Sequence, residues 1–161
     1  MVDPYSARLF DKNPFAKRRE IRGQLVVVLD GRLEGRNLQL IVPLSRALLQ
    51  GDIHELISTD QVAGPGQEVA RVSYLGFFEV SQGGVVVVGD KLAVAGQMLG
   101  TVAGFDITHL PNHLNIVINR DDRATGLELG LGLGDELRFV PPPRRSEAPI
   151  DGKLDSEPNQ C

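Results

Sequence analysis

Between Ile21 and Val140 the apolar residues come in short runs, rich in β-branched side chains and separated by glycine. The runs are Gln24 to Leu29, Asn37 to Val42, Glu68 to Val80, Val85 to Val88, Leu92 to Ala95, Met98 to Phe105, Leu114 to Asn119 and Glu136 to Val140. Each is of strand length and does not carry a helix. Asp30-Gly31, Gly83-Gly84, Gly89-Asp90 and Gly134-Asp135 mark tight turns, where glycine adopts positive φ without steric cost. Two segments break the pattern: Leu44 to Gln50, with Ser45 as a short cap, and more weakly Asp52 to Ile57 read as helical. The expectation is an all-β protein, a closed or nearly closed β-barrel with one or two short helices.

A weak internal repeat bears on closure. Val26-Val27-Val28, Gly31-Arg32-Leu33, Gly35 and Leu38 can be laid on Val85-Val86-Val87, Asp90-Lys91-Leu92, Gly96 and Leu99, with a small insertion. Two readings stand, a pseudo-two-fold barrel or a chance match of valine-rich strands. In that alignment Ser45, Leu48 and Asp52 fall opposite Asp106, His109 and His113, so only the second half carries a polar site.

A chain of 161 residues, 42% apolar, has room for one core of ordinary size. With no tryptophan that core must be mostly Val, Leu and Ile, which favours strands. The net charge of -4 argues against a nucleic-acid surface, which needs basic groups to displace counterions. The one basic cluster, Lys12, Lys17, Arg18, Arg19 and Arg22, reads as a solvated arm, with an anionic partner as the other reading. No apolar run approaches the ~18 residues of a membrane span, and the first residues lack a secretory pattern. A soluble, cytoplasmic protein is expected. The single Cys161 stands behind a polar tail and reads as neither disulfide partner nor nucleophile. Composition divides the chain into an N-terminal arm (residues 1–20), a barrel domain (21–140) and a proline-rich tail (141–161) expected to be disordered. The arm, with Tyr5, Leu9, Phe10 and Phe15, would pack on the domain or on a neighbouring subunit of a homo-oligomer.

The densest polar group lies in Gly104 to Ile118, GFDITHLPNHLNIVI. Asp106, His109 and His113 are candidate catalytic residues and, as two imidazoles and a carboxylate, a candidate ligand set for a divalent transition metal with open positions. Pro111 disfavours a helix between the histidines, so they are expected on a loop. Asp106, between Phe105 and Ile107, reads either as a desolvated base or as a cap on the loop's backbone amides. Asn112 reads as a turn residue, and Asn115, at the start of a strand, points to solvent or into a wet cavity; both are candidate substrate contacts.

The segment PNHLNIVI resembles the P-x-T-L-N-strand segment of the archaeal CTP-dependent riboflavin kinases, which have a cradle-loop barrel. GQLVVVLDGRLEGRNLQL is similar to that family's glycine-containing nucleotide loop, and LGLGDELRFV to its closing strand. The resemblance implies a barrel of that type, with magnesium held at the positions of His113 and Asn115. His113 stands where the family has threonine, and the stretch between the glycine loop and this segment is longer here.

Gly126 to Glu136 reads as a glycine-rich hairpin approaching another backbone. Asp90 and Asp135, each behind glycine, read as turn residues. His54-Glu55 is an acid/base pair only if its segment lies near the main loop, and otherwise a solvated helix face. Two functions remain: an enzyme or enzyme-like barrel acting on a small anionic or carbonyl metabolite, or a non-catalytic binding or assembly module. A nucleotide-dependent small-molecule kinase is the further alternative that the resemblance implies.

Overall fold

A computed structural model describes residues 3, 6, 7 and 17–143. The described chain is all β: β1 (Ile21–Leu33), β2 (Leu38–Gln39), β3 (Ser45–Leu48), β4 (Ile53–Thr59), β5 (Glu68–Val69), β6 (Val72–Gln82), β7 (Gly84–Val87), β8 (Lys91–Val94), β9 (Gln97–Asp106), β10 (Asn115–Asn119) and β11 (Glu136–Val140). Seven strands pair in a closed ring in the order β1, β11, β8, β9, β10, β4, β6 and back to β1. The remaining four form two small ribbons, β2 with β5 and β3 with β7.

Side chains on a strand alternate between faces, so the ring has two apolar layers. The inner one draws on every ring strand, with Leu25, Leu56, Phe78, Leu92, Phe105, Ile116 and Phe139 all buried. The outer one is smaller. Leu38, Leu40 and Val69 of the β2–β5 region cover Ile57, Val72 and Val117 on the outside of β4, β6 and β10. Gly104 makes room for this cover, since a Cβ there would sit 3.0 Å from the Leu40 side chain.

Neither expected helix is present among the described residues. Leu44, Ala47 and Leu48 imitate a helical stripe, but the segment lies between Pro43 and Gly51, too short for a helix to hold without tertiary support. It becomes β3, which pairs with β7 and buries Leu48 in the inner core. The Asp52–Ile57 segment lies in the turn and strand of β4, whose β-branched end is sealed between β6 and β10. Asp30-Gly31 is not a turn either: both residues lie inside β1, where the register against β6 shifts.

One four-residue turn recurs. Gly51, Gly89 and Gly134 have φ of 89°, 98° and 83°, and each is followed by an aspartate that leads into β4, β8 or β11. In each the aspartate carboxylate accepts the backbone N–H three residues earlier: Leu49 to Asp52 (2.9 Å), Val87 to Asp90 (2.9 Å) and Gly132 to Asp135 (2.8 Å). Each turn also clasps a ring strand. The glycine N–H donates to the carbonyl of Val80, Val102 or Leu25, whose own N–H donates to the carbonyl of the aspartate. Gly66-Gln67 repeats the device with a glutamine, clasping Leu40. The structural repeat is therefore built on these turns. It is not the register that lays Gly31 on Asp90, which matches a residue inside a strand with one in a turn.

The end of the arm is not solvated throughout. Lys17 and Arg19 are exposed, but Arg18 forks onto Asp90 with Nη1 and Nη2 at 2.8 and 2.6 Å and also donates to the Val85 carbonyl. Arg22 and Arg138 share Glu20. Lys12, Tyr5, Leu9, Phe10 and Phe15, and the tail from Arg144 to Cys161, lie outside the described residues.

Candidate functional site

The ring's strands β4 and β10 run parallel, with Glu55 beside Asn115. Asn115 in turn pairs with Asp106 of β9, and Glu55 with Phe77 of β6. These four share the outer face, since their neighbours Leu56, Ile116, Phe105 and Phe78 are in the inner core. The result is a row of three polar side chains, Glu55, Asn115 and Asp106, exposed by only 7%, 0% and 2%. The loop between β9 and β10, residues 107–114, as expected not helical, folds beside them.

Asp106 is a cap. Its carboxylate accepts Thr108 N–H at 3.1 Å, the Thr108 hydroxyl at 2.9 Å and Asn115 Nδ2 at 2.9 Å. Of the two sequence readings the geometry matches the second, because three donors already hold the group. Asn115 is neither solvent-facing nor free to reach a ligand with its amide. Its Oδ1, however, is buried without a hydrogen-bond partner.

His109 and His113 stack, with centroids 5.0 Å apart and planes 27° from parallel. His113 Nε2 lies 3.3 Å from Glu55 Oε2, and its Nδ1 lies 2.7 Å from Asn112 Oδ1. An imidazolium would serve both contacts, whereas a neutral ring donates to one. Phe77 meets the edge of His113 at 5.1 Å. Arg36, in the loop after β1, donates from Nη2 to His109 Nε2 at 3.3 Å and from Nε to the Tyr74 hydroxyl at 3.2 Å. Asp106 is thus occupied elsewhere while the imidazoles stack, and no group of three or more His, Cys, Asp or Glu able to hold a metal ion occurs among the described residues. The expected Asp106, His109 and His113 ligand set is not brought together.

Burial pushes the Glu55 carboxyl above its ordinary value, while His113, then His109 and Arg36, pull it back. His54 is on the other side of β4, tilted against Phe78. Its Nδ1 accepts the Leu114 N–H at 3.0 Å and its Nε2 faces Asp52 at 3.3 Å, so both nitrogens are used structurally. Burial lowers its pKa, and Asp52 opposes this. The pair His54-Glu55 is therefore split between two faces by strand alternation, not displayed on a solvated helix. Glu55, Arg36 and Tyr74 are the site residues that sequence reasoning either undervalued or missed.

At the other end of β10 lies an open groove of about 550 Å³ lined by Asp60, Val62, Met98, Thr101, Asp121 and Asp122, among others. Asp122 there is paired with Arg120, and Asp60 with Arg71. No helix among the described residues is long and apolar enough to cross a membrane.

Residues 15–140 match the profile of a family of unknown function, DUF6917, and the chain belongs to that family. No curated protein and no solved structure matches the chain.

Proposed function

We propose that the protein binds a small anionic metabolite bearing a carboxylate, with a carbonyl beside it, on the face formed by Arg36, His109, His113 and Glu55. The observation that carries this is the state of Arg36. Among the described residues Arg18, Arg22, Arg32, Arg71, Arg120, Arg123 and Arg138 each lie against a carboxylate, whereas Arg36, like Arg19 and Arg46, does not. Arg36 instead rests on a phenol and an imidazole, both neutral acceptors, so its charge has no direct carboxylate partner. A guanidinium recognises a carboxylate through paired N–H donors, and His109, whose Nε2 accepts from Arg36, carries its own N–H on Nδ1 as a further donor. Asn112, on the same loop, adds a polar contact.

The fold reading that goes with this is a pseudo-symmetric β-barrel of the cradle-loop kind, supported by the closed strand order and the recurring Gly-Asp turns. A magnesium-dependent nucleotide kinase is less well supported, because Asn115 is fully buried with its amide committed to Asp106. A non-catalytic module remains the second reading, since Arg36 and His109 serve binding whether or not a reaction follows.

A thermal-shift screen of malonate, pyruvate and 2-oxoglutarate against CTP with magnesium tests the proposal. A ligand at one hundred times its dissociation constant adds about 2.7 kcal/mol to folding, enough to read as a clear rise in Tm. At least one acid should raise Tm, and Arg36→Gln should abolish the rise. CTP as the sole stabiliser, or acids that stabilise Arg36→Gln equally, would overturn it.

A further inference from the structure

Resting on that reading, we propose that Glu55 is the proton-transfer residue of the site, moving a proton to and from the carbon next to the carbonyl of a 2-oxo acid whose carboxylate Arg36 holds. Three observations lead there. The first is position: Glu55 Oε2 is 3.3 Å from His113 Nε2, and His113 stacks on His109, which touches Arg36. Cation, imidazoles and carboxylate are thus in successive contact, which puts a group that holds an acid and a group that takes a proton in one cluster.

The second is the orphaned oxygen. Asn115 is 0% exposed, its Nδ2 is fixed by Asp106, and its Oδ1 has no partner. A buried amide oxygen without a donor is unfavourable. The strand register pairs Glu55 with Asn115 across β4 and β10. A carboxyl on that neighbouring position is an O–H donor when protonated and has none to offer when ionised. Burial acts the same way by raising the carboxyl's proton affinity above its ordinary value, against the pull of His113, His109 and Arg36.

The third is what else surrounds the site. Glu55, His113, His109 and Arg36 supply a carboxyl, two imidazoles and a cation to one cluster. Proton transfer is the chemistry those groups support. The step balances without a co-reactant: the C–H bond breaks, its electron pair forms the enolate with charge on the carbonyl oxygen, and the proton passes to a Glu55 oxygen. The reverse transfer restores the acid.

The test is loss of the C3 proton signal of pyruvate, followed by NMR in D₂O with the full chain, beside the Tm shift that the same acid produces. The protein should accelerate exchange over buffer by about a hundredfold or more, the usual scale of a positioned base. Glu55→Gln should remove that acceleration. Glu55→Asp, with the carboxylate withdrawn by one methylene, should retain part of it, which guards against a folding defect in the amide variant. A Tm shift without exchange, or exchange unchanged in Glu55→Gln, would overturn this inference and leave the binding site standing. No Tm shift with any acid would remove the binding reading and this inference with it.

Discussion

Arg18→Met separates a packed arm from a solvated one. The Arg18 side chain is only 11% exposed and that of Asp90 1%, and two of the three donors held by the Asp90 carboxylate come from Arg18; the third is the Val87 N–H. Methionine keeps much of the stem but leaves a buried carboxylate with one donor. Removing one member of a buried pair costs about 3–5 kcal/mol, and the partial exposure of Arg18 points to the lower end, about 3 kcal/mol. For a domain of this size that is a fall in Tm of roughly 10 °C. Asp90→Asn should cost less, because asparagine still accepts the Val87 N–H in the turn and Arg18 keeps the Val85 carbonyl. The double variant should be milder than the sum, with a coupling of about 1–3 kcal/mol. Urea and thermal unfolding of all four proteins at neutral pH give these numbers directly. A loss below about 0.5 kcal/mol for Arg18→Met, the level of an ordinary surface substitution, would refute the reasoning and return the arm to solvent.

Two further outcomes follow from burial. A Cβ on Gly126 would lie 1.9 Å from the Leu75 carbonyl oxygen and 3.1 Å from that of Leu29, both backbone, so Gly126→Ala should cost about 3 kcal/mol or prevent folding. Gly35→Ala, with nothing within 4 Å, should leave urea stability unchanged or slightly raised, and similar losses in both would show that close approach is not the cause. His54 has a folded pKa below its ordinary 6.5, so the unfolded chain binds that proton first; its contribution is complete above pH 6.5 and is lost as pH falls below it. Glu55, raised from 4.5, has the opposite sign, its contribution being complete below pH 4.5 and lost as pH rises through the folded value. Tm measured from about pH 7 to about pH 5 should therefore fall less in His54→Gln than in the wild type, and parallel curves would count against a neutral, structural His54.

Most strands were legible because β-branched runs between glycines have few other uses. The misread segments failed for one reason: local pattern was outvoted by partners distant in sequence. Leu44, Ala47 and Leu48 have helical spacing, yet β7 offers β3 a paired edge and a place for Leu48. Gly31 has the look of a turn, yet β1 continues through it with a shift in register. The hairpin expected from Gly126 to Glu136 is a series of turns, although its close backbone approach is real at Gly126. The same holds at the site. The loop carrying His109 and His113 could be found from residue density alone. Its carboxylate partner is 58 positions away and its arginine 73, and no spacing rule within the loop reaches either.

Why the polar groups gather there follows from the direction of two strands. Among the ring's described pairings β4 with β10 is parallel and the others are antiparallel. In an antiparallel pair the start of one strand meets the end of the other, but here both starts lie together. The Gly51-Asp52 turn and the 107–114 loop therefore enter at the same end, bringing His54 and Glu55 to His113, Leu114 and Asn115. The covering β2–β5 ribbon shields Ile57 and Val117, two positions further along, and the apolar cover does not include Glu55 or Asn115. Those two are shielded at this end by a loop that carries two histidines. A loop opens at lower free energy than a ring strand unpairs, so this is where a buried carboxylate can meet a ligand without disturbing the sheet.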